Sequence, residues 1–334
     1  MKLCMERRIS VIGAGAWGTA LGNLLAEKGY KVRIWALEER TAVSINKNHE
    51  NFQFLPGVKL SEYLHAFNNF KDVVPDADII ISAVPSQYVR DVANQFAPYL
   101  RKDKQYKLVS VSKGLEPQTF KLMTQVLREV LPANVKIAAL SGPNHAEEVA
   151  RKMPTATVIA SIHKEILDEL VDLFKTDYFI PYALSDESGI QICGAVKNIT
   201  ALTIGVCDAL GLGDNAKASI MTLGLTEMYR VGKEFGAFRT TFFGIAGIGD
   251  LIATCTSKHS RDRFYGEKLA AGKSFEEIKA DLQGMVAEGV KAAKSIYHFA
   301  QENGIFLPLT MQIYKVLYEN KKMSDALKDL IKLI

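Results

Sequence analysis

The sequence predicts an α/β Rossmann-type N-terminal domain with a mostly parallel sheet, followed by an all-α C-terminal domain. Two observations carry this prediction. Continuous β-branched runs alternate with helical stretches over residues 9–180, which is typical of a parallel sheet covered on both faces. From Ile190 onward, apolar residues recur every three and four positions and strand-like alternation almost disappears. The polar stretch Ser185–Gly189 marks the change, so we place one domain over residues 1–188 and a second over 189–334.

The first element is a glycine-rich strand–turn–helix. The apolar run Ile9–Ile12 suits a buried strand, and Gly13, Gly15 and Gly18 follow with the spacing G-x-G-x-x-G. A helical pattern comes next, and then a second strand over Lys31–Trp35. In this context the glycines permit a tight turn, a close approach to a pyrophosphate and close helix–strand packing, while the helix N-terminus attracts the diphosphate. We predict a dinucleotide site here; the alternative is a plain strand–turn–helix.

The rest of the first domain repeats the strand–helix alternation after an irregular polar segment, Asn46–Leu60. Strands are predicted from Ile79, Lys107, Val135, Thr155 and Tyr178, and helices from Gln87, over Gln118–Val130, from His145 and over Lys164–Phe174.

Three loops follow the carboxyl ends of these strands, where open parallel sheets bind ligands. They are Ala83–Gln87, Ser112–Glu116 and Ser141–His145, and each combines small residues with polar groups. Lys113 is the cation among them. A lysine followed by glycine at this edge favours contact with a ligand over a solvated surface position.

The second domain is predicted to consist of helices over residues 190–210, 215–236, 240–254, 261–271, 287–303 and 308–319, with a short last one. The first of these helices carries Lys197 and Asn198 within an apolar sequence. Lysine is almost never buried without a partner or a purpose. Near another cation its pKa would be lowered, which suits proton transfer. The alternative is a lysine that reaches the surface at a domain boundary.

Two further clusters in the second domain favour a substrate site. Asp250 follows a run of glycines, Gly244, Gly247 and Gly249; it either caps a helix or orients a lysine and binds substrate hydroxyls. Ser260 and Arg261 lie at the start of a helix in a basic loop. A hydroxyl, free N–H groups and a guanidinium together fit a phosphate clamp, against the alternative of a solvated loop.

Composition narrows the functional classes. The apolar share of 48% and charged share of 23% are ordinary for a soluble globular protein, and a net charge of +4 argues for a locally basic pocket rather than a nucleic-acid surface. The apolar run Ile190–Leu212 contains Lys197, Asn198 and Asp208, so we expect a buried helix and no membrane span.

Cysteine and histidine usage predicts no metal site and a cytoplasmic location. No cysteine pair has C-x-x-C spacing, and no histidine has metal-ligand spacing with acids or cysteines. The four cysteines are Cys4, Cys193, Cys207 and Cys255.

Taken in order, six short motifs resemble one family, the bacterial NAD(P)-dependent glycerol-3-phosphate dehydrogenases, over residues 9–318. These motifs are Gly13–Gly18, Ser112–Glu116, Ser141–Pro143, Gly194–Asn198, Ala246–Leu251 and Ser260–Arg261. The resemblance implies interconversion of dihydroxyacetone phosphate and sn-glycerol 3-phosphate for phospholipid synthesis, with NAD(H) or NADP(H) as cofactor. Separately, an all-helical second domain with apolar faces often supplies a dimer surface, so we expect a homodimer.

The resemblance further implies a set of site residues. Lys197 would exchange the proton at the substrate C2 oxygen. The substrate pocket would contain Lys113, Asn198, Asp250, Thr254, Ser260, Arg261 and Asp262. The cofactor would contact Gly13, Gly15, Ala16, Trp17, Gly18, Leu37, Lys113, Gly142, Asn144, Ala146, Arg261, Val286 and Glu288, the last two closing over the dinucleotide from the second domain.

This chain departs from the family pattern at two places. Asp262 stands where the family usually has asparagine, which puts an acid beside the proposed phosphate clamp. Past the second strand, Glu38 would hydrogen-bond the ribose diol of NAD, whereas Arg33 or Arg40 would attract the 2′-phosphate of NADP. The cofactor preference therefore stays open at this point.

Two competing functions remain. One is a sibling enzyme such as a β-hydroxyacid dehydrogenase, which also uses a lysine but has no need of the Ser260–Arg261 clamp. The other is a sensor that binds NAD(H) without turnover, for which Lys197 would be dispensable.

Overall fold

The structure, a computed structural model, describes residues 7–282 and 287–332, which form two compact units. The first unit comprises the chain up to Ser112 together with Met123–Glu187; the second comprises Lys113–Leu122 and the chain from Ser188 onward. The sequence-based division assigned residues 113–122 to the first domain. Their apolar side chains explain the difference, since Leu115 and Leu122 are buried in the hydrophobic core of the second unit.

Over its described residues, 7–112 and 123–187, the first unit contains eight strands and six helices, with short 3₁₀ turns between some of them. In chain order they are β1 (Arg8–Ile12), α1 (Ala16–Glu27), β2 (Lys31–Trp35), α2 (Glu39–Asn48), β3 (Leu64–Phe67), β4 (Ile79–Ser82), α3 (Val89–Phe96), β5 (Tyr106–Ser110), α4 (Met123–Val130), β6 (Val135–Ser141), α5 (Ala146–Ala150), β7 (Thr155–Ala160), α6 (Leu167–Phe174) and β8 (Phe179–Leu184).

The eight strands form one sheet in the order β3-β2-β1-β4-β5-β6-β7-β8, parallel throughout except between β6 and β7. Its central strands are covered on both faces. Ile79 and Ile81 of β4 belong to one hydrophobic cluster and Ile80 to another, so alternate side chains enter different cores. This arrangement confirms the predicted Rossmann-type fold with a mostly parallel sheet.

The segment after β2 is more regular than predicted. It contains helix α2, which overlaps the start of the stretch Asn46–Leu60, and the edge strand β3. Only one face of β3 is buried, and its four residues are too few for a clear alternation. The helix predicted over Gln118–Val130 is also shorter and begins at Met123, because residues 115 and 122 pair as a β-bridge instead.

The second unit is helical, as predicted. Its helices are α7 (Glu187–Ala209, whose first residue belongs to the first unit), α8 (Gly213–Glu234), α9 (Arg239–Phe242), α10 (Asp250–Thr256), α11 (Arg261–Ala270), α12 (Phe275–Asp281), α13 (Glu288–Glu302), α14 (Pro308–Tyr318) and α15 (Met323–Ile331). Helix α12 was missed in the sequence, although Ser274 and Glu277 form the capping box that announces it.

Helix α7 lies at the centre of this unit. Within the described residues it is the one helix long and apolar enough to cross a membrane, and its most apolar stretch is completely buried in the protein. Its backbone packs directly on that of α11. A Cβ atom on Gly205 would lie 1.9 Å from the Arg263 carbonyl oxygen, and one on Gly266 1.9 Å from that of Leu202. Gly205 and Gly266 therefore allow close contact between α7, which carries Lys197, and α11, which begins at Arg261.

The single helix predicted over residues 240–254 is wrong. Helix α9 ends at Phe242, a π-helical turn covers Ile245–Gly249, and α10 begins at Asp250. The turn is tightly packed, since a Cβ atom on Gly247 would lie 2.2 Å from the Phe242 carbonyl oxygen. Such π-turns often occur at functional sites. Here the turn sets the position of Asp250.

Candidate active site

The glycine-rich turn of the first unit follows β1 directly. Gly13 has φ of +112°, a conformation that L side chains rarely adopt, and its N–H donates to the Trp35 carbonyl over 3.1 Å. A Cβ atom at this position would lie 2.7 Å from the Ala83 carbonyl oxygen, which follows β4. Only glycine fits where the ends of two neighbouring strands meet.

Gly15 and Gly18 differ in what surrounds them. Gly18 presses α1 onto the turn, because a Cβ atom there would lie 2.0 Å from the Gly13 carbonyl oxygen. Gly15 faces open space, with nothing within 4 Å of an added Cβ atom. It precedes the N-terminus of α1, which no side chain caps. Open space before uncapped N–H groups fits the pyrophosphate of a dinucleotide.

This contrast gives a matched pair of variants. We expect Gly15→Ala to keep the folded stability but raise the Kd for NADH by about 10- to 100-fold, the cost of 1–3 kcal/mol for an intruding methyl group. Gly18→Ala is expected to lower the free energy of unfolding, because its methyl group meets fixed backbone. Urea unfolding and NADH fluorescence titration check both. Equal NADH affinity in Gly15→Ala and the wild type would contradict a pyrophosphate at this turn.

Asn51 supports the turn and was missed in the sequence. It is fully buried, and its Nδ2 donates to the Ala14 carbonyl and to the Thr19 hydroxyl, each over 2.8 Å. Thr19 Oγ1 in turn donates to the same carbonyl. Asn51 lies in the polar segment that appeared irregular, so no local pattern indicated its role.

The other predicted cofactor residues of the first unit follow strand ends or begin helices. Gly142 follows β6, and the neighbouring Asn144 donates from Nδ2 to Thr157 Oγ1 over 3.0 Å. The Asn144 Oδ1 atom is buried and has no hydrogen-bond partner in the part of the chain that the structure describes. It is therefore ready to accept a hydrogen bond from a ligand. The remaining positions are Ala16 at the start of α1, the half-buried Trp17, the exposed Leu37 after β2, and Ala146 at the start of α5.

The second unit brings two lysines to one carboxylate. Lys197, on α7, donates to Asp250 Oδ1 and, over 2.7 Å, to Thr254 Oγ1. Lys113 donates to the other carboxylate oxygen of Asp250 over 2.9 Å. The Lys197 and Asp250 side chains are only 6% and 1% exposed. Four residues from three distant parts of the sequence thus form one cluster, with Asp250 at its centre.

Burial and charge set the protonation of this cluster. Burial lowers the pKa of Lys197 to about 8; the Asp250 carboxylate opposes this shift and Lys113 adds to it. Burial also acts on Lys113, but the carboxylate outweighs it and raises the pKa of Lys113. Burial alone would raise the pKa of Asp250, and the two ammonium groups reverse this and lower it. Lys197 is therefore the group able to exchange a proton near neutral pH.

The remaining predicted residues of the second unit lie around α11 and the start of α13. Ser260 caps α11, and its hydroxyl accepts from the Arg263 N–H over 3.3 Å. The Arg261 side chain is exposed and makes no hydrogen bond or ion pair within residues 7–282 and 287–332. Asn198 Nδ2 donates to Glu288 Oε2 over 3.2 Å.

Asp262 faces the protein interior, where it accepts from the Gly289 N–H over 2.7 Å. The role of this backbone amide was not foreseen in the sequence. Val286, predicted as a cofactor contact, lies outside the described residues.

Comparison with known proteins identifies the family. Profiles of the NAD-dependent glycerol-3-phosphate dehydrogenase family match this chain with their N-terminal part at residues 8–167 and their C-terminal part at residues 186–328. The chain is 43% identical to the glycerol-3-phosphate dehydrogenase [NAD(P)+] of Geobacter metallireducens, over 98% of this chain and 97% of the relative. It is 41% identical to that of Lactiplantibacillus plantarum, over 98% of each.

A solved structure gives the same result. The glycerol-3-phosphate dehydrogenase of Coxiella burnetii superposes with a TM-score of 0.93 at 34% identity, covering 97% of this chain and 98% of that one. Family profiles, curated relatives and fold thus agree over nearly the whole length. The chain belongs to the NAD-dependent glycerol-3-phosphate dehydrogenase family.

Proposed function

We propose that this chain interconverts dihydroxyacetone phosphate and sn-glycerol 3-phosphate with NAD(P)H, and so supplies glycerophospholipid synthesis. The observation that carries the proposal is the buried Lys197–Asp250–Lys113 cluster, in which one lysine has a pKa of about 8. A buried lysine with this pKa suits general acid–base catalysis at a carbonyl. The glycine-rich turn supplies the matching cofactor site.

In the proposed reduction, bound NAD(P)H supplies a hydride to the C2 carbon of the ketone. Lys197 donates a proton to the C2 oxygen, so the carbonyl becomes an alcohol and no oxyanion accumulates. Thr254 and Asp250 fix the direction of the Lys197 ammonium group through their hydrogen bonds. In the oxidation, neutral Lys197 takes the alcohol proton back. Lys113, held on the other oxygen of Asp250, keeps a positive charge beside the reacting centre.

We propose that the phosphate of the substrate binds at the start of α11. The Arg261 guanidinium, exposed at the first helical position, and the free N–H groups of the first turn would receive it. Asn198 and Asp250 would contact the hydroxyl oxygens of the glycerol portion. Binding the phosphate away from the reacting carbon would hold a small substrate in a productive orientation.

Arg261→Ala should raise the KM for dihydroxyacetone phosphate by about 10- to 100-fold, because a charge-assisted hydrogen bond contributes about 1.5–3 kcal/mol. Steady-state kinetics with dihydroxyacetone, which lacks the phosphate, provide the control: the same substitution should leave that weak reaction unaffected. An unchanged KM for the phosphorylated substrate would place the phosphate elsewhere.

The preference between NADH and NADPH depends on the residues past β2. Arg33 already donates to the Asp72 carbonyl over 2.8 Å, and its guanidinium lies 5.9 Å from the centre of the Phe67 ring. Glu38 makes no side-chain hydrogen bond at the cap of α2, so its carboxylate is available to a ribose diol. We propose that the enzyme prefers NADH, with Arg40 as the remaining cation that would favour NADPH.

The test of the proposed function is the oxidation of NADH and, separately, of NADPH with dihydroxyacetone phosphate as acceptor. Turnover with either cofactor supports the reaction, and the ratio of the two kcat/KM values tests the role of Glu38. Tight NADH binding without turnover would instead support the sensor function.

We also propose a homodimer in the cytoplasm. The second unit exposes large apolar side chains that a partner copy would cover, among them Phe238, Phe243 and Ile252. Cys193, Cys207 and Cys255 are buried and form no disulfide within the described part of the chain, as suits a reducing compartment. Sedimentation of the purified protein checks the oligomeric state.

A further inference from the structure

Asp262 is a buried acid that joins three helices of the second unit. It stands at the second position of α11, next to Arg261, and accepts from the Gly289 N–H in the first turn of α13. Gly289 also packs on α7, since a Cβ atom there would lie 2.6 Å from the Asn198 carbonyl oxygen and 2.9 Å from Asp262 Oδ1. The carboxyl group thus links the proposed phosphate site to the Asn198–Glu288 pair.

Few charges compensate a negative charge at this position. Asp262 is 7% exposed, and within residues 7–282 and 287–332 it makes no ion pair. The charged groups that face it are Glu288 on α13, Arg261 on its own helix and Lys197 on α7. Burial raises the pKa of Asp262 to about 7, and Glu288 adds to the shift, while the Gly289 N–H, Arg261 and Lys197 oppose it.

We propose that Asp262 couples the binding of the substrate's phosphate at the start of α11 to the uptake of one proton. This inference rests on the proposed function and adds a regulation of the same site. A phosphate dianion held by Arg261 places negative charge beside Asp262. It also neutralises the Arg261 guanidinium, which otherwise favours the ionised form of Asp262. Like charges disfavour ionisation, so the carboxyl group takes up a proton when the phosphate binds.

The protonated form keeps the helices linked. A protonated carboxyl group still has an acceptor oxygen for the Gly289 N–H. Proton uptake therefore removes the charge beside the phosphate without releasing α13 from α11. An ionised Asp262, in contrast, would keep its bond to Gly289 but repel the dianion.

The KM for dihydroxyacetone phosphate should consequently depend on pH. Above about pH 7 the protonated fraction of Asp262 decreases by a factor that approaches ten for each pH unit. The apparent affinity for dihydroxyacetone phosphate decreases with it. The second ionisation of the phosphate, with a pKa of about 6, is complete in this range and contributes little. We expect the wild-type KM to rise by about 50-fold between pH 7 and pH 9, less than the limiting value of about 100-fold because Asp262 is only half ionised at the start.

Asp262→Asn separates this effect from other titrations. Asparagine keeps an acceptor oxygen for Gly289 but cannot ionise, so its KM should stay constant from pH 7 to pH 9. The pH profile of kcat, which reports Lys197, serves as the internal reference in both proteins. A purely structural role of Asp262 would alter the KM equally at every pH.

A second measurement needs no variant. Calorimetric titration of the wild type, saturated with NADH, with inorganic phosphate in buffers of different ionisation enthalpy should show uptake of nearly one proton at pH 8. A wild-type KM that does not change with pH, a parallel rise in Asp262→Asn, or binding without proton uptake would each overturn the inference and leave the proposed function intact. If the wild type turns over no dihydroxyacetone phosphate at any pH, the proposed function and the inference are both refuted.

Discussion

Replacing Lys197 by methionine is expected to lower kcat for the reduction of dihydroxyacetone phosphate by about 10²- to 10⁴-fold, the range typical of a lost general acid. Methionine retains the length of the buried side chain but cannot donate a proton. The proposed cofactor site at Gly13, Gly15 and Gly18 belongs to the first unit, so the Kd for NADH should not change. Stopped-flow NADH oxidation and fluorescence titration measure the two quantities.

Lys102→Met is the matched control for this variant, because Lys102 is exposed on the first unit. It should retain wild-type turnover. Full turnover by Lys197→Met would remove Lys197 from the mechanism, whereas loss of turnover with intact NADH binding would exclude the sensor function.

The pKa of Lys197 also fixes the sign of the pH dependence. With a pKa of about 8, Lys197 is largely protonated at pH 7 and largely neutral at pH 9. The reduction needs the protonated form, so its kcat should fall as pH rises through about 8. The oxidation needs the neutral form and should become faster over the same interval. Initial rates in both directions from pH 6 to pH 10 would test this opposition, and parallel profiles would contradict it.

Asp250→Asn is expected to damage both stability and catalysis. The substitution leaves two lysines in a buried cluster without the carboxylate that both of them contact. Breaking a buried ion pair by removing one partner lowers the free energy of unfolding by about 3–5 kcal/mol. The carboxylate also opposes the fall in the pKa of Lys197, so its loss should lower that pKa further. The reduction should then slow at neutral pH and reach its optimum at lower pH.

Urea unfolding and pH–rate profiles of Asp250→Asn measure these two effects. Asp214→Asn supplies the control, because Asp214 is 96% exposed and pairs only at the surface with Lys217. Surface pairs contribute about 0–1 kcal/mol, so this variant should resemble the wild type. If Asp250→Asn unfolded at the same urea concentration as the control, the cluster would not carry the charge interactions inferred from its distances.

The sequence indicated which charged side chains of the second unit come together better than it indicated the contacts that support them. Lys197 and Asp250 were found because a lysine in an apolar helix and an acid after a glycine run are both unusual. Asn51 and the Gly289 N–H were missed because their partners lie 37 and 27 positions away. A polar side chain that binds distant backbone leaves no local pattern. The roles that the family resemblance implies for individual side chains stay predictions.

The elements missed in the fold have similar causes. Strand β3 forms by pairing with β2, and β7 pairs with β6 in the antiparallel direction. The periodicity of a sequence does not encode which strands pair or in which direction. The helix predicted over residues 240–254 is interrupted after Phe242 because the glycine-rich segment that follows adopts a π-helical turn. The apolar residues of that segment have helical spacing, so no sign of the interruption is visible in the sequence. Long, strongly periodic helices such as α8 and α13 were predicted to within about two residues.

The segment Lys113–Leu122 bears on how this protein can be recombined. Its chain neighbours on both sides belong to the first unit, yet Lys113 forms its ion pair with Asp250 of the second. A chimera of two relatives joined by a single crossover near Glu187 would therefore combine Lys113 from one parent with Lys197 and Asp250 from the other. Exchange of an intact cluster requires two inserts, residues 113–122 and the chain from Ser188 onward. Substitutions in residues 113–122 and in the chain from Ser188 onward therefore have to remain compatible with each other.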